Sequence, residues 1–285
     1  MSKTTAESLM RQAAYSRGKI SKKYQHPDAI NRLRLFKPEG ERPLEIIDPK
    51  GVVFGYRFRL PIALIEALET STSLLPPLQA SKHKRGSYAV RHYAHWADFK
   101  RTVYENAEYL KEKPNADAWL AANHALFHYL SDYLRIYLPE MWVSMTGTIR
   151  KATNGKLAGL ASPWHGVAIG QGMGSEGGED HQDWSDEPSV FNAVIPFGAQ
   201  GWTGADILLW QLGLRVAVER GHCFLFKGAI IAHRATAVTS GQRNFVDLFC
   251  HKSVYDVKNR MATEGLLPKS TDARKVYQTY SFLNS

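Results

Sequence analysis

Cysteine is scarce in this sequence, and long apolar runs are missing. The chain has two cysteines, Cys223 and Cys250, which excludes a disulfide framework and a cysteine-rich zinc module. Two isolated thiols suit a reducing compartment, so we expect an intracellular protein of the nucleus or cytoplasm. No apolar segment approaches the ~20 residues that a membrane span needs, and residues 1–23 lack the apolar core of a signal peptide. We therefore expect no membrane association.

Basic residues exceed acidic ones, and the excess is unevenly distributed. The chain carries 36 Lys and Arg against 27 Asp and Glu, a formal net charge of +9. Residues 1–42 alone hold ten basic and four acidic residues. Such a segment can contact phosphate groups or can simply keep the protein in solution, and the composition leaves both open. The hydrophobic share of 44% indicates a folded globule.

The order of predicted elements divides the chain into four regions. Residues 1–42 form a basic extension, 43–140 a hairpin and helical support region, 141–255 a β-rich core, and 256–285 a C-terminal helix and tail. Residues 43–285 are expected to make one compact domain. Helices followed by many short strands predict an α+β fold, in which N-terminal helices buttress a jelly-roll core.

Periodicity and turn residues predict the individual elements. A hairpin is expected at 44–60, around the turn sequence Asp48-Pro49-Lys50-Gly51. Helical spacing and bracketing prolines predict helices at 61–70, 88–111, 116–137 and 254–265. After Pro139, short apolar runs predict strands at 142–149, 164–169, 190–197, 205–210, 214–218, 222–226, 229–232 and 244–250.

Residues 82–101 mix basic and aromatic side chains, including Arg91, Tyr93 and Trp96. Base stacking together with phosphate neutralisation would use this mixture. An amphipathic helix with aromatic residues inward and charges outward has the same composition, and it is the interpretation that we favour.

Three residues carry the most chemical information: His181, Asp183 and His233. Residues two apart on a strand point to the same face, so His181 and Asp183 can share a metal with a distant histidine. Two imidazoles and one carboxylate make the 2-His-1-carboxylate triad, which holds Fe(II) and leaves positions open for a co-substrate and O2. A lone His-x-Asp is common by chance, but the full set followed by Arg243 predicts a metal site. Arg243 can fork onto the far carboxylate of 2-oxoglutarate.

The strand that begins at Arg243 has two different faces. One face alternates through Arg243, Phe245, Asp247, Phe249 and His251, and the other through Asn244, Val246, Leu248 and Cys250. The second set suits a hydrophobic layer. The first set mixes charge, aromatic rings and imidazole, which is typical of a lined pocket. We therefore expect the Arg243 face to point into the barrel, towards the metal.

These residues resemble a known family. The motif of His181, Asp183, His233 and Arg243 resembles that of 2-oxoglutarate/Fe(II)-dependent dioxygenases, whose fold is a double-stranded β-helix, or jelly roll. Within this superfamily, residues 202–226 and the distal His233 resemble the Tet/JBP branch, whose members oxidise the methyl group of thymine or 5-methylcytosine. The resemblance covers residues 140–255 and implies Fe(II), 2-oxoglutarate and O2.

The resemblance also implies roles for further residues. Phe249 and His251 fit the pair that contacts a flipped base, and Asp247 shares their face as a substrate-binding residue. His165 is a candidate for the second 2-oxoglutarate anchor. The chain departs from the family at Gly221-His222, where relatives often have Gly-Asp. Acidic residues also surround the His-x-Asp motif, and they would repel phosphate unless they face away: Glu176, Glu179, Asp180, Asp186 and Glu187.

The favoured function is hydroxylation of the methyl group of a modified nucleobase, such as 5-methylcytosine in DNA, with DNA as the partner. Reaching a buried iron requires the base to leave the stack. One alternative is a small-molecule hydroxylase of the same superfamily, for which the basic segment is irrelevant. A second alternative is a non-catalytic jelly-roll binding protein, which the intact triad and Arg243 disfavour.

Overall fold

The computed structural model describes residues 30–37, 43–78, 89–98, 102–173, 177–198 and 201–264. Most of the basic N-terminal segment, residues 82–88, Glu176 and the end of the C-terminal tail lie outside the described residues. None of the helices in the described ranges combines the length and the hydropathy that crossing a bilayer requires.

The described chain contains fourteen named strands and six α-helices. The strands are β1 (Arg34–Phe36), β2 (Leu44–Ile47), β3 (Val53–Arg59), β4 (Ala89–Ala97), β5 (Val103–Glu105), β6 (Gly166–Met173), β7 (Asn192–Phe197), β8 (Trp202–Gly204), β9 (Ile207–Leu209), β10 (Leu214–Val216), β11 (His222–Phe226), β12 (His233–Ala235), β13 (Val238–Gly241) and β14 (Arg243–Phe249). The helices are α1 (Ile62–Ser71), α2 (Ala107–Lys111), α3 (Lys113–Ala122), α4 (His124–Tyr137), α5 (Pro139–Ala152) and α6 (Lys252–Thr263).

Two sheets form a jelly roll. The major sheet has eight antiparallel strands in the order β2-β3-β11-β7-β14-β6-β4-β5. The minor sheet has the order β1-β10-β9-β12, and β13 pairs with β8 in a two-stranded ribbon. Apolar side chains such as Val194 and Phe226 of the major sheet pack on Ile207 and Leu209 of the minor sheet. The expected α+β jelly roll is therefore confirmed.

Period-two alternation places a helical layer on the outer face of the major sheet. On β11, Phe224 packs towards the minor sheet, whereas Cys223 and Leu225 join the core shared with the helices. That core includes Trp119 of α3 and Leu134 of α4. Because one face of the sheet is covered by helices, the site can occupy only the other face, between the two sheets.

Four predicted elements match the structure closely. The hairpin at 44–60 is β2 and β3, and the short helix that follows it is α1. The strand at 222–226 is β11, with the same bounds. The C-terminal helix begins two residues earlier than predicted, at Lys252, where the side chain of His251 accepts a hydrogen bond from Ser253 N.

The predicted helix at 88–111 is wrong for most of its length. The described part of this segment forms β4, β5 and the short helix α2. On β4, Arg91 and Tyr93 are buried towards the helical layer, while His92 and Trp96 line the cavity between the sheets. Arg91 donates hydrogen bonds to Glu112 and to the Pro76 carbonyl. Long-range pairing with β6 thus overrides the local pattern of aromatic residues.

Three smaller corrections have local causes. Residues 142–149 form part of helix α5 rather than a strand, because Pro139 starts the helix at a favourable position and apolar residues recur at helical spacing. Residues 229–232 lie in a turn and a bend instead of a strand, although all four are apolar. The predicted single helix at 116–137 is two helices, α3 and α4, which meet at Asn123.

Part of the predicted N-terminal extension packs on the fold. Strand β1 pairs in parallel with β10 at the edge of the minor sheet. Ile30 and Leu33 contact the cluster of Leu208, Trp210 and Ala232. Residues 30–37 therefore support the sheet that carries His233, and they belong structurally to the domain.

Candidate metal and ligand site

His181, Asp183 and His233 converge at one point. His181 and His233 form an antiparallel backbone bridge. The distance from His181 N to His233 O is 3.0 Å, and that from His233 N to His181 O is 2.9 Å. The ligand atoms of all three residues lie within 4.8 Å of one another. His181 Nε2 is 3.7 Å from Asp183 Oδ1, and His233 Nε2 is 3.4 Å from Asp183 Oδ2. The predicted set of ligand types is therefore assembled in space.

The tautomers of both histidines fit a metal. His181 Nδ1 lies 2.7 Å from the Glu179 carbonyl, and His233 Nδ1 lies 2.8 Å from the Ile231 carbonyl. A carbonyl oxygen can only accept, so each Nδ1 carries the proton and each Nε2 keeps its lone pair. Two imidazole lone pairs then face one carboxylate, an arrangement that a bound cation stabilises. This donor set fits Fe(II).

The turn between β11 and β12 holds the triad together. Asp183 N donates to the Gly228 carbonyl, and Gln182 Nε2 donates to the Ile230 carbonyl at 2.7 Å. A Cβ atom at position 228 would lie 2.6 Å from Asp183 Oδ2. The absence of a side chain at Gly228 therefore leaves room for the Asp183 carboxylate. The sequence alone does not reveal that position 228 requires glycine.

The face of β14 that carries Arg243 lines the cavity, as predicted. The cavity has a volume of about 660 Å³, within the usual range for ligand pockets. Arg243 is 2% exposed, and its guanidinium carbon lies 5.7 Å from the centre of the Phe245 ring. The opposite face of β14 is buried in the helical layer through Val246 and Leu248. Phe245, Asp247, Phe249 and His251 line the same cavity as the triad.

The acidic residues near the triad are largely engaged by neighbouring groups. The Asp180 carboxylate contacts the Trp210 indole N–H and lies 3.4 Å from Arg234 Nε. Burial raises the pKa of Asp180. Glu187 Oε1 accepts from Ser189, and Glu179 is exposed. Of these acidic residues, Asp180 lies beside a cation, Glu179 faces solvent, and Asp186 lines the cavity.

His165 occupies a different environment from the one expected. It is completely buried, it stacks on Tyr255 at 5.6 Å, and its Nε2 lies 3.5 Å from the Met145 carbonyl. It is not among the residues that line the cavity. Because its side chain faces the helices, it has no described route to a ligand near Arg243, and we leave it out of the proposed site.

Protonation of His165 is expected to destabilise the fold in mild acid. Burial is the main cause that lowers its pKa to about 3, whereas histidine in an unfolded chain has a pKa of about 6.5. The unfolded state takes up the proton first as pH falls. The contribution of neutral His165 to stability is thus complete above pH ~6.5 and is lost progressively below it. At pH ~5 the loss is about 2 kcal/mol.

Urea unfolding of the wild type and of His165→Phe, at neutral pH and at pH ~5, measures this effect. The variant should lose about 2 kcal/mol less stability than the wild type between the two conditions. His124→Phe is the matched control, because His124 is exposed on α4 and should leave the pH dependence unchanged. Identical pH dependence in His165→Phe and wild type would contradict the prediction.

Several cavity residues were not assigned to the site from the sequence. His92 and Trp96 come from β4, and Asp186 follows the triad carboxylate by three residues. Asn192 Nδ2 donates to Asp186 Oδ2 at 2.8 Å. Period-two analysis of 89–97 would have exposed the alternation of β4. No local signal marks Asp186, since its position depends on the bridge that it forms with His251.

The jelly-roll cavity brings a 2-His-1-carboxylate set together with a buried arginine, a donor set of the kind that holds non-haem Fe(II). Among solved structures, "NgTET1 in complex with 5mC DNA" matches with a TM-score of 0.55 and 16% identity, covering 88% of this chain and 92% of that chain. At this identity the match shows a shared fold. No protein-family model matches the chain, and the curated proteins give no match.

Other solved structures align less well. A 2OG-Fe(II) oxygenase family oxidoreductase from Burkholderia pseudomallei matches with a TM-score of 0.39 and 14% identity, covering 68% of this chain and 82% of that chain. A Pseudomonas putida prolyl-4-hydroxylase gives 0.38 and 16%, covering 69% and 92%.

Proposed function

We propose that the protein is an Fe(II)/2-oxoglutarate-dependent dioxygenase that hydroxylates the methyl group of 5-methylcytosine in DNA. The triad geometry supports the chemistry, and the polar groups of the cavity support the base. The choice of base rests on two neighbouring cavity residues: Asp186, which can accept a hydrogen bond from the base, and His251, which can donate one.

His181, Asp183 and His233 would hold the iron, and Arg243 would pair with the C5 carboxylate of 2-oxoglutarate. When bound, the two supply the oxidising chemistry: O2 and 2-oxoglutarate are consumed, succinate and CO2 form, and a substrate C–H becomes C–OH. The protein's contribution is geometric. The Nδ1 hydrogen bonds fix both imidazoles, and the cavity walls exclude bulk water.

The tautomer of His251 follows from its neighbours. Its Nδ1 accepts a hydrogen bond from Ser253 N at 3.2 Å and lies 2.7 Å from Ser253 Oγ. Ser253 Oγ accepts from Ala97 N, so its own proton can point to Nδ1. Because Nδ1 is an acceptor, the neutral ring carries its proton on Nε2. Burial lowers the pKa of His251, which keeps the ring neutral near pH 7. His251 therefore provides an N–H donor.

Asp186 provides the complementary acceptor. It pairs with His251 in an antiparallel bridge, and Asn192 donates to its Oδ2. An acceptor beside a donor matches the cytosine edge, where the amino group at C4 donates and ring N3 accepts. Thymine presents the opposite order, an oxygen at C4 and an N–H at N3, so it would meet the Asp186 carboxylate oxygen to oxygen.

Stacking and phosphate contacts complete the proposal. Phe249 offers an aromatic ring to a flipped base, and Trp96 packs beside His251 at 5.6 Å. Asp247, between Arg243 and Phe249 on the same face, remains a proposed substrate-side residue. Phosphate contacts by the basic N-terminal segment remain a prediction. Such contacts should weaken steeply as salt rises.

Replacement of Asp186 is expected to change the base preference. In Asp186→Asn, Asn192 should hold the amide oxygen and turn the amide NH2 towards the cavity, where it opposes the cytosine amino group and can donate to the thymine oxygen at C4. We expect the ratio of 5-methylcytosine to thymine turnover to fall by about 10- to 100-fold, from about 1–3 kcal/mol of discrimination. Glu187→Gln is the control, because Glu187 is a neighbouring carboxylate engaged with Ser189.

The measurement is succinate release with Fe(II), ascorbate and duplex DNA containing 5-methylcytosine, thymine only or N6-methyladenine, with mass spectrometry of the bases. Oxidised 5-methylcytosine together with the predicted Asp186→Asn shift would support the proposal. Slow, DNA-independent succinate release would point instead to a small-molecule hydroxylase. No succinate under any condition would refute the oxygenase assignment.

A further inference from the structure

Strand β6 carries small residues opposite the large cavity residues of β14. Gly166 pairs with Phe249, Ala168 with Asp247, and Gly170 with Phe245 in the antiparallel register. The three small residues alternate along one strand, so they share the face that looks into the cavity. Each of the two glycines therefore stands directly opposite a phenylalanine.

Both phenylalanine rings lie against glycine backbone. A Cβ atom at position 170 would be 2.0 Å from Phe245 Cε1, and one at position 166 would be 2.6 Å from Phe249 Cζ. Ordinary carbon–carbon contacts are about 3.5–4.0 Å. A methyl group at either position would thus displace the facing ring by about an ångström or more. Both rings line the cavity, which offers space for that displacement.

The two phenylalanine rings lie at different ends of the cavity. Phe245 lies next to Arg243, whose guanidinium carbon is 5.7 Å from the ring centre. Phe249 contacts His92, with ring centres 6.4 Å apart, and it precedes His251 on the same face. Four residues of extended strand separate the two phenylalanines by about 13 Å. A change at one ring therefore need not reach the other.

We propose that the Gly170–Phe245 and Gly166–Phe249 pairs divide the cavity into two subsites and set the depth of each independently. The Gly170–Phe245 pair shapes the end that holds an oxo-dicarboxylate against Arg243. The Gly166–Phe249 pair shapes the end that accepts a flat heteroaromatic ring. This inference rests on the proposed function. The two glycines act through the rings and are positioning residues.

The test compares two single substitutions against two ligands, with binding as the readout. Gly170→Ala should weaken the binding of 2-oxoglutarate by about 10-fold or more, which corresponds to about 1.4 kcal/mol, and should leave DNA binding within about twofold. Gly166→Ala should show the reverse. Calorimetry with Mn(II) and 2-oxoglutarate gives the first affinity. Fluorescence anisotropy with a duplex containing 5-methylcytosine, compared with an unmethylated duplex, gives the second.

A double variant distinguishes a steric clash at the ring from general damage to the fold. Phe249→Leu removes the ring that a methyl group at position 166 would strike, so the double variant with Gly166→Ala should be less destabilised than the two single effects predict. The corresponding pair is Gly170→Ala with Phe245→Leu. Gly147→Ala, on helix α5 with only the end of the Lys151 side chain near, is the neutral control.

The outcomes separate the inference from the proposed function. A wild-type protein that binds neither 2-oxoglutarate with Mn(II) nor the methylated duplex would refute the proposed function. A wild type that binds both, with each alanine variant weakening both ligands equally or neither ligand, would overturn the two-subsite inference alone. Purely additive thermal effects in both double variants would also overturn it, because the rings would then not be in contact with positions 166 and 170.

Discussion

Asp183→Ala is expected to lose metal binding and all turnover while the jelly roll stays folded. Asp183 is the single carboxylate between the two Nε2 atoms of His181 and His233. Without it, two neutral imidazoles remain, and they cannot offset the charge of a divalent cation. The backbone at the triad keeps its main tie without this side chain, since Asp183 donates to the Gly228 carbonyl through its backbone N–H.

Thermal unfolding with and without Mn(II) measures the first part of this prediction. At a metal concentration of about 100 times Kd, the wild type should gain about 2.7 kcal/mol of stability, and the variant should gain none. Without metal, the two proteins should have similar midpoints. Asp132→Ala is the control carboxylate, because Asp132 lies on α4 and pairs with Arg135, and this variant should respond to metal like the wild type. Full turnover by Asp183→Ala would refute the metal site.

Arg243→Ala is expected to weaken 2-oxoglutarate binding strongly and to affect metal binding little. Arg243 is 2% exposed, so a carboxylate that binds to its guanidinium is removed from water. The ion pair with the guanidinium must then offset the cost of desolvating that carboxylate. Truncating one partner of a buried charge pair costs about 2–5 kcal/mol, which corresponds to a loss of about 30-fold or more in affinity. Arg243→Lys should retain part of the affinity, because lysine keeps the positive charge but cannot form the bidentate hydrogen bonds of a guanidinium.

Kinetics distinguish this role from general damage. The apparent KM for 2-oxoglutarate should rise, while kcat at saturating 2-oxoglutarate should change much less. Mn(II)-induced stabilisation should survive in the variant, which shows that the triad is intact. Arg215→Ala is the control, because Arg215 is also carried by a strand and pairs with Asp206. An unchanged KM in Arg243→Ala would mean that another cation binds the co-substrate.

The local pattern of β14 was sufficient to predict both of its faces. Alternation at Phe245, Asp247 and Phe249 survives in the structure because this strand lies between β6 and β7 and both of its sides are used. The same reasoning failed for β4, where closely spaced aromatic and basic residues imitate a helical face. The competing contact there is pairing with β6, about 75 residues away along the chain, which no local window contains.

The roles of individual polar groups divide in the same way. The sequence predicts the residue types of the triad, because metal chemistry restricts the ligands to a few side chains. It does not predict the histidine tautomers, because these depend on which backbone carbonyl accepts the hydrogen bond from each Nδ1. His165 illustrates the same limit, since a histidine at the start of a strand can face either the cavity or the helices, and only packing decides between them.

The sequence by itself determined which residue types are available to the candidate site, namely the ligand types, the arginine and the polar face of β14, together with the jelly-roll class. The tertiary structure alone decided where β4 runs, that Asp186 meets His251, and that glycines face the two cavity phenylalanines. The physical reason is the range of the interactions. Periodicity and residue chemistry are properties of neighbouring residues, whereas a cavity is formed by strands distant in the chain, whose alignment is fixed by the packing of the whole domain.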